Sequence, residues 1–207
     1  RSGTPQMLFL SGVAGIGKSA LARHISDLIA TSTNKVMISW GGASSWATDI
    51  EPYLSIRTAT DRMLVKPQAS TTLPGNYPSR PTLGPREIER VIESIPQLAG
   101  AMISEHALRG MAESLGDEYM HDIDAMLAAR SSTDAIGRQE EYSRLLVHLS
   151  QSWPVVIVLE DLHWSGEQTA TLLLHMAQQV HHMRNTPIMF ICTYRTDDMQ
   201  ADGTRDV

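Results

Sequence analysis

Three glycines, a lysine and a serine crowd together near the start of the chain, in Ser11-Gly12-Val13-Ala14-Gly15-Ile16-Gly17-Lys18-Ser19. The spacing from Gly12 to Ser19 fits G-x-x-x-x-G-K-[ST], a pattern whose residue types suit a chain of phosphates. Glycine reaches dihedrals that other residues avoid, so a loop on Gly12, Gly15 and Gly17 can curl with its amides inward. Amides from Gly12, Val13, Ala14, Gly15, Ile16 and Gly17 through Lys18, Ser19 and Ala20, with the positive end of a following helix, would cradle a di- or triphosphate. Lys18 would reach the β- and γ-phosphates, and the Ser19 hydroxyl would ligate Mg²⁺.

A second cluster lies far downstream. Val155-Val156-Ile157-Val158-Leu159 is apolar without alternation, as expected of a strand buried on both faces in a parallel sheet, and it ends in Glu160-Asp161. Facing a phosphate loop, one such carboxylate would hold the shell of Mg²⁺, and the other would orient or deprotonate an attacking water. Standing alone, the pair reads equally well as solvated charge at a strand end; the phosphate loop on the same chain favours the site. Arg195 follows another apolar run, Ile188 to Thr193. At the tip of a strand beside the phosphates it would sense the γ-phosphate. A solvated strand end is the competing reading.

These groups need elements to hold them. Met7 to Leu10 is a short apolar run before the loop, and Leu21, Ile25, Leu28 and Ile29 share one face of a helix after it. Strands are expected near 6–11, 35–40, 155–160 and 188–193, the second stopped by Gly41-Gly42. Ile50 to Leu64 recur at helical spacing, which predicts a helix from Asp49 to Val65 with Pro52 in its first turn. Residues 67–85 hold five of the ten prolines and read as an exposed loop. Residues 86–134 read as a helical insert broken at Pro96, Gly110 and Gly116. Its methionines and leucines belong to a core rather than a cofactor box. Tyr142, Leu145, Leu146 and Leu149 mark a cleaner helix. Ser165 with Gln168 forms a capping-box pattern before a helix running through Thr169 to His182.

Composition narrows the classes. A chain of 207 residues holds one sizeable domain, and 42% hydrophobic residues suit a globular one. The formal net charge of -6 gives no footprint for direct nucleic-acid binding. The single cysteine, Cys192, cannot form an internal disulfide, which suits a reducing, cytoplasmic compartment. No run approaches membrane-spanning length. The first strand begins a few residues in, and a polar stretch from Asp197 to Val207 closes the chain, so the expectation is a single domain over 1–207 cut from a larger protein.

With the phosphate loop, Leu159-Glu160-Asp161-Leu162-His163-Trp164 and Thr193-Tyr194-Arg195 together, nearly the whole chain resembles the ATPase domains of the STAND class. These are AAA+-related signal-transduction ATPases of the type found in bacterial transcription regulators and beside some nucleotide cyclases. The resemblance implies an α/β three-layer P-loop NTPase domain, with a parallel sheet and a helical insert between the second and third strands. It makes Gly12 to Ser19 the Walker A motif, Glu160 and Asp161 the Walker B acids, and Arg195 the sensor. It places the Walker B and sensor strands beside the phosphate-loop strand. It further implies ATP/ADP and Mg²⁺ as ligands, slow hydrolysis, and a nucleotide-governed switch in oligomerisation with itself or with other domains of the parent chain. The acids run Glu then Asp, which leaves the expected base one methylene short, so hydrolysis should be weak.

Other classes fit less well. Asn34-Lys35-Val36-Met37 has methionine where a guanine motif needs aspartate. A small-molecule kinase would want an arginine-bearing lid, and residues 67–85 hold only Arg80. An inert P-loop interaction module is the stronger rival. His175, His181 and His182 lack zinc spacing, Cys192 lacks the surroundings of a nucleophile, and His163 with Trp164 reads as corner packing.

Overall fold

Pro154 lies two residues past a helix that ends at Ser152 and leads into the apolar run that becomes one of the two inner strands of the sheet. The computed structural model describes residues 5–32, 35–43, 53–65, 83–94, 102–116, 118–128, 135–179 and 185–196. Within them, β1 (Gln6–Gly12), β2 (Met37–Gly42), β3 (Val155–Glu160) and β4 (Ile188–Arg195) form a parallel sheet of order β1-β4-β3-β2. Successive side chains of β3 alternate between two apolar layers. Val156 and Val158 join Ile38, Trp40 and Ile191 under helix α1 (Lys18–Ser32). Ile157 and Leu159 join Met37, Phe190 and Cys192 under the helices of the other side. This is the expected three-layer arrangement.

Those helices all come between β2 and β3 except the last. They are α2 (Leu54–Leu64), α3 (Pro85–Ser94), α4 (Glu105–Leu115), α5 (Glu118–Ala128), α6 (Ala135–Ser152) and, after β3, α7 (Glu167–Gln179). The insert therefore lies between the second and third strands as expected. Several boundaries differ from expectation. Pro85 is the first residue of α3 rather than the end of a loop, a position where its missing N–H costs nothing. Gly110 lies inside α4, because Ala107, Leu108, Met111 and Ala112 bury that helix on both sides of it. Gly116 does end the helix, with φ +131°. The helix predicted from Asp49 starts at Leu54, after Tyr53 in a left-handed conformation. Pro52, Pro96, the loop through 82 and the stretch 180–184 with His181 and His182 lie outside the described residues.

Gly41 and Gly42 do not stop β2; both pair with β3. Gly41 is glycine because the backbone of α2 crosses it: a Cβ there would fall far inside the Ser55 carbonyl. Around that crossing Ser39 Oγ donates to Ala59 O at 2.6 Å and Arg62 Nη1 to Trp40 O at 2.7 Å. The α1 register also differs. Ala22 and Ser26 are fully buried against the sheet, Ile25 and Ile29 partly, whereas Leu21 and Leu28 are about half exposed. Small side chains at 22 and 26 let the helix approach closely, and the leucines are left on its flank.

One carboxylate of the insert is costly to bury. Asp61 accepts the Ser104 N–H at 2.8 Å, just before α4. Burial pushes its carboxyl above the ordinary value of 3.8, against the hydrogen bonds from Ser104 and the charges of Arg57 and His106. A raised folded value means that this group's contribution is full below the unfolded pKa and is lost as pH rises through the folded one. Asp61→Asn keeps the acceptor and removes the charge. We expect melting curves to show a modest gain in stability for the variant, opening above pH 3.8 and absent below it.

Candidate functional site

In a parallel sheet every strand ends on the same edge, so the loop after β1, the acids after β3 and the tip of β4 share one side of the molecule. The loop after β1 carries Gly15 at φ +75° and Gly17 at φ +100°, dihedrals that L side chains rarely adopt. Open space surrounds both positions, so backbone conformation and not crowding demands glycine there. Helix α1 follows at once. Its first backbone bond runs from the Leu21 N–H to Gly17 O at 2.9 Å, so the amides of Lys18, Ser19 and Ala20 precede any intrahelical acceptor. Donors of this kind at a helix start suit an anion.

Lys18 folds back over the loop. Its ammonium donates to Gly12 O and to Val13 O, each at 2.8 Å. Phosphate oxygens are stronger partners for an ammonium than peptide carbonyls, because the acceptor is ionised. The Lys18 head group thus already stands at the mouth of the loop, held by contacts that an anion would outcompete.

Arg195 is the last residue of β4 and pairs in register with Gly12, the first glycine of the loop. The strand runs two residues beyond the expected end at Thr193, and that extension brings the arginine level with the loop. Glu160 ends β3 opposite Gly42, its carbonyl accepting the Ala43 N–H at 3.0 Å. It shares the parity of Val156 and Val158, so it lies on the α1 side of the sheet, the side on which the phosphate loop turns into its helix. The expectation that both later strands adjoin β1 holds only for β4. β3 lies one strand further, about 10 Å from β1 by the spacing of strands. That gap leaves room between Lys18 and the acids.

Asp161 leaves the strand abruptly, with φ 55° and ψ 46°. Left-handed geometry is uncommon for a residue with a side chain, and aspartate tolerates it better than most. Its N–H donates to the Thr193 hydroxyl at 3.0 Å, and its carbonyl accepts the Trp164 N–H at 2.9 Å. The second bond opens a short 3₁₀ turn, Leu162–Trp164, in which the His163 and Trp164 rings lie 5.0 Å apart. The predicted capping box does not form. Ser165 Oγ donates back to Leu162 O at 2.6 Å, and Gly166 O accepts the first helical N–H groups of α7.

The sequence names Thr193 only as part of the Thr193-Tyr194-Arg195 strand end and gives it no role of its own. Its signal was there to be read: a hydroxyl inside a fully buried strand needs a partner. Elsewhere, Cys192 is buried with its thiol pushed up to about 12, so it is no nucleophile. His175 lines a surface groove of about 320 Å³ between α6 and α7 with His148, Glu140 and Arg144, well away from β1. Among the described residues no group of three or more His, Cys, Asp or Glu side chains is placed to hold a metal, and no helix is long and apolar enough to cross a membrane. The donors offered at the sheet edge are a hydroxyl and two carboxylates. Such hard oxygens suit Mg²⁺ held by one or two groups plus substrate and water.

A family model described as AAA ATPase domain matches residues 1–191. No curated protein and no solved structure matches the chain.

Proposed function

The chain belongs to the AAA ATPase domain family, and from that premise we propose that it binds Mg-ATP, hydrolyses it slowly, and uses the bound state as a switch for assembly in a signalling or transcription-regulatory protein. The observation that carries this reading is the Lys18 ammonium at the mouth of the glycine loop, on the sheet edge where Glu160 and Asp161 also end.

Each residue has a role in the proposal. The loop amides and Lys18 bind and orient the triphosphate, and Ser19 with Glu160 would hold the metal. Bound Mg²⁺ supplies neutralisation of charge on the transferring phosphoryl group. Asp161 or Glu160 positions the attacking water and takes its proton, and Arg195 faces the γ-phosphate from the β4 tip. Turnover should be slow because the carboxylate in the base position is the shorter one.

Support for the assembly half comes from the surface. Arg23 stacks over the Trp40 ring of β2, 5.9 Å to its centroid, on one flank of α1. Leu21 and Leu28 project from the other flank, whereas the half-exposed Phe9 of β1 lies on the opposite face of the sheet, since Leu8 and Leu10 face α1. The exposed leucine pair on α1 suits docking against a further body, whether a second copy or another domain of the parent chain.

Calorimetry with ATP, ADP and GTP in magnesium tests the ligand. ATP and ADP should bind, GTP at least about tenfold more weakly. Asp161→Asn should retain ATP while losing turnover by about 100-fold or more. An Asp161→Asn variant that turns over at the parent rate removes the acid from the mechanism.

A further inference from the structure

Thr193 sits between the two halves of the site. In register it pairs with Leu10 of β1, two residues before Gly12, and across β4 its hydroxyl takes the Asp161 N–H at 3.0 Å. The paired rungs of β3 with β4 end at Leu159 and Cys192. Two positions on, at Asp161, the backbone leaves β3 in the left-handed region, and the Asp161 N–H finds its acceptor on a β4 side chain and not on a ladder carbonyl. Thr193 is fully buried and Asp161 half-buried, so the bond is partly shielded from competing water.

We infer that Thr193 is a positioning residue: its hydroxyl pins the Asp161 peptide in the left-handed turn and thereby sets the aim of the Asp161 carboxylate toward the phosphate loop. The inference rests on the reading of Asp161 as a water-positioning acid. With the N–H held by Thr193 and the carbonyl by Trp164, the two peptide planes that flank the Asp161 Cα are each anchored by one bond. Little besides χ1 and χ2 is then left to direct the carboxylate. Because Thr193 belongs to the strand beside β1, the same residue couples the height of the acid to the height of the loop.

Thr193→Val removes the acceptor at nearly constant volume, and Thr193→Ser restores it. Misplacing a catalytic group by about 1 Å costs on the order of 100-fold. We expect Thr193→Val to lower kcat for Mg-ATP by 10- to 100-fold. Its Kd for a non-hydrolysable Mg-ATP analogue should stay within about threefold of the parent, and Thr193→Ser should return kcat to within about threefold. Hydrogen exchange at the Asp161 amide should quicken in the valine variant and not in the serine one; Thr193→Ala serves for the same measurements if valine disturbs folding. Three results overturn the inference: parent-like kcat in the valine and alanine variants, equal losses of kcat and analogue affinity, or no rescue by serine. A parent domain that binds no Mg-ATP or never turns it over refutes the wider reading and this one with it. Parent turnover that survives Thr193→Val unchanged refutes only the role of Thr193.

Discussion

Replacing Lys18 by alanine should remove half or more of the thermal stabilisation that Mg-ATP gives this domain while shifting the melting temperature of the nucleotide-free protein by only a few degrees. The two bonds Lys18 makes, to Gly12 O and Val13 O, are partly or wholly exposed and water can replace them, so together they contribute about 1 kcal/mol or less. Their loss should shift the unliganded midpoint by only a few degrees, at roughly 2–4 °C per kcal/mol for a chain of this size. The effect on the liganded protein is far larger. Nucleotide at 100 times its Kd stabilises by about 2.7 kcal/mol, a rise of roughly 5–11 °C in the parent. A charge-assisted hydrogen bond is worth about 1.5–3 kcal/mol, so alanine should weaken affinity by roughly 10- to 100-fold and erase from about half to more than four-fifths of that rise. Lys18→Arg should not rescue it, because the planar guanidinium does not match a compact point charge seated in a loop. A full nucleotide-induced rise in Lys18→Ala would place the triphosphate elsewhere on the molecule.

What was legible beforehand followed from how many physical constraints bore on each segment. β3 came out at its expected limits, Val155 to Glu160, because an uninterrupted β-branched run after Pro154 can be buried on both faces in few other ways. The glycine loop was legible for a similar reason: three glycines at fixed spacing restrict the backbone, and Gly12, Gly15 and Gly17 all take a positive φ ahead of α1. Reading failed where a neighbour distant in sequence decided the outcome. Hydrophobicity alone assigns Leu21 and Leu28 to the buried face of α1, but the sheet accepts Ala22 and Ser26, since a helix packs closest on its smallest side chains. Ser165 looked like a helix cap, yet the 3₁₀ turn before it offers Leu162 O to the same hydroxyl. The left-handed turn at Asp161 and the bond that holds it depend on which strand lies next to β3. Strand order is a tertiary property, and no local pattern around either residue encodes it.

Gly41 illustrates the same dependence and carries the largest stability effect expected outside the site. Its dihedrals are those of an ordinary strand, and its type is set wholly by the α2 backbone lying over it. A methyl group at this position meets the Ser55 carbonyl carbon and oxygen and the Ala59 side chain, and backbone atoms cannot swing aside as a flexible side chain would. Relief requires lifting α2 off β2. That movement stretches the Ser39–Ala59 and Arg62–Trp40 bonds, which tie the helix down, and loosens Ile56, Met63 and Leu64 from the core. Overpacking typically costs about 1–3 kcal/mol, and a backbone clash belongs at or above the upper end. Gly41→Ala should therefore lower the midpoint by roughly 6–12 °C, and Gly41→Val should fail to yield folded protein at 37 °C. Gly42 supplies the control. It pairs in the same strand one residue on, with open space around it, so Gly42→Ala should move the midpoint by no more than about 2 °C. If the two alanine variants melt together, close packing of α2 on β2 is not what selects glycine at position 41.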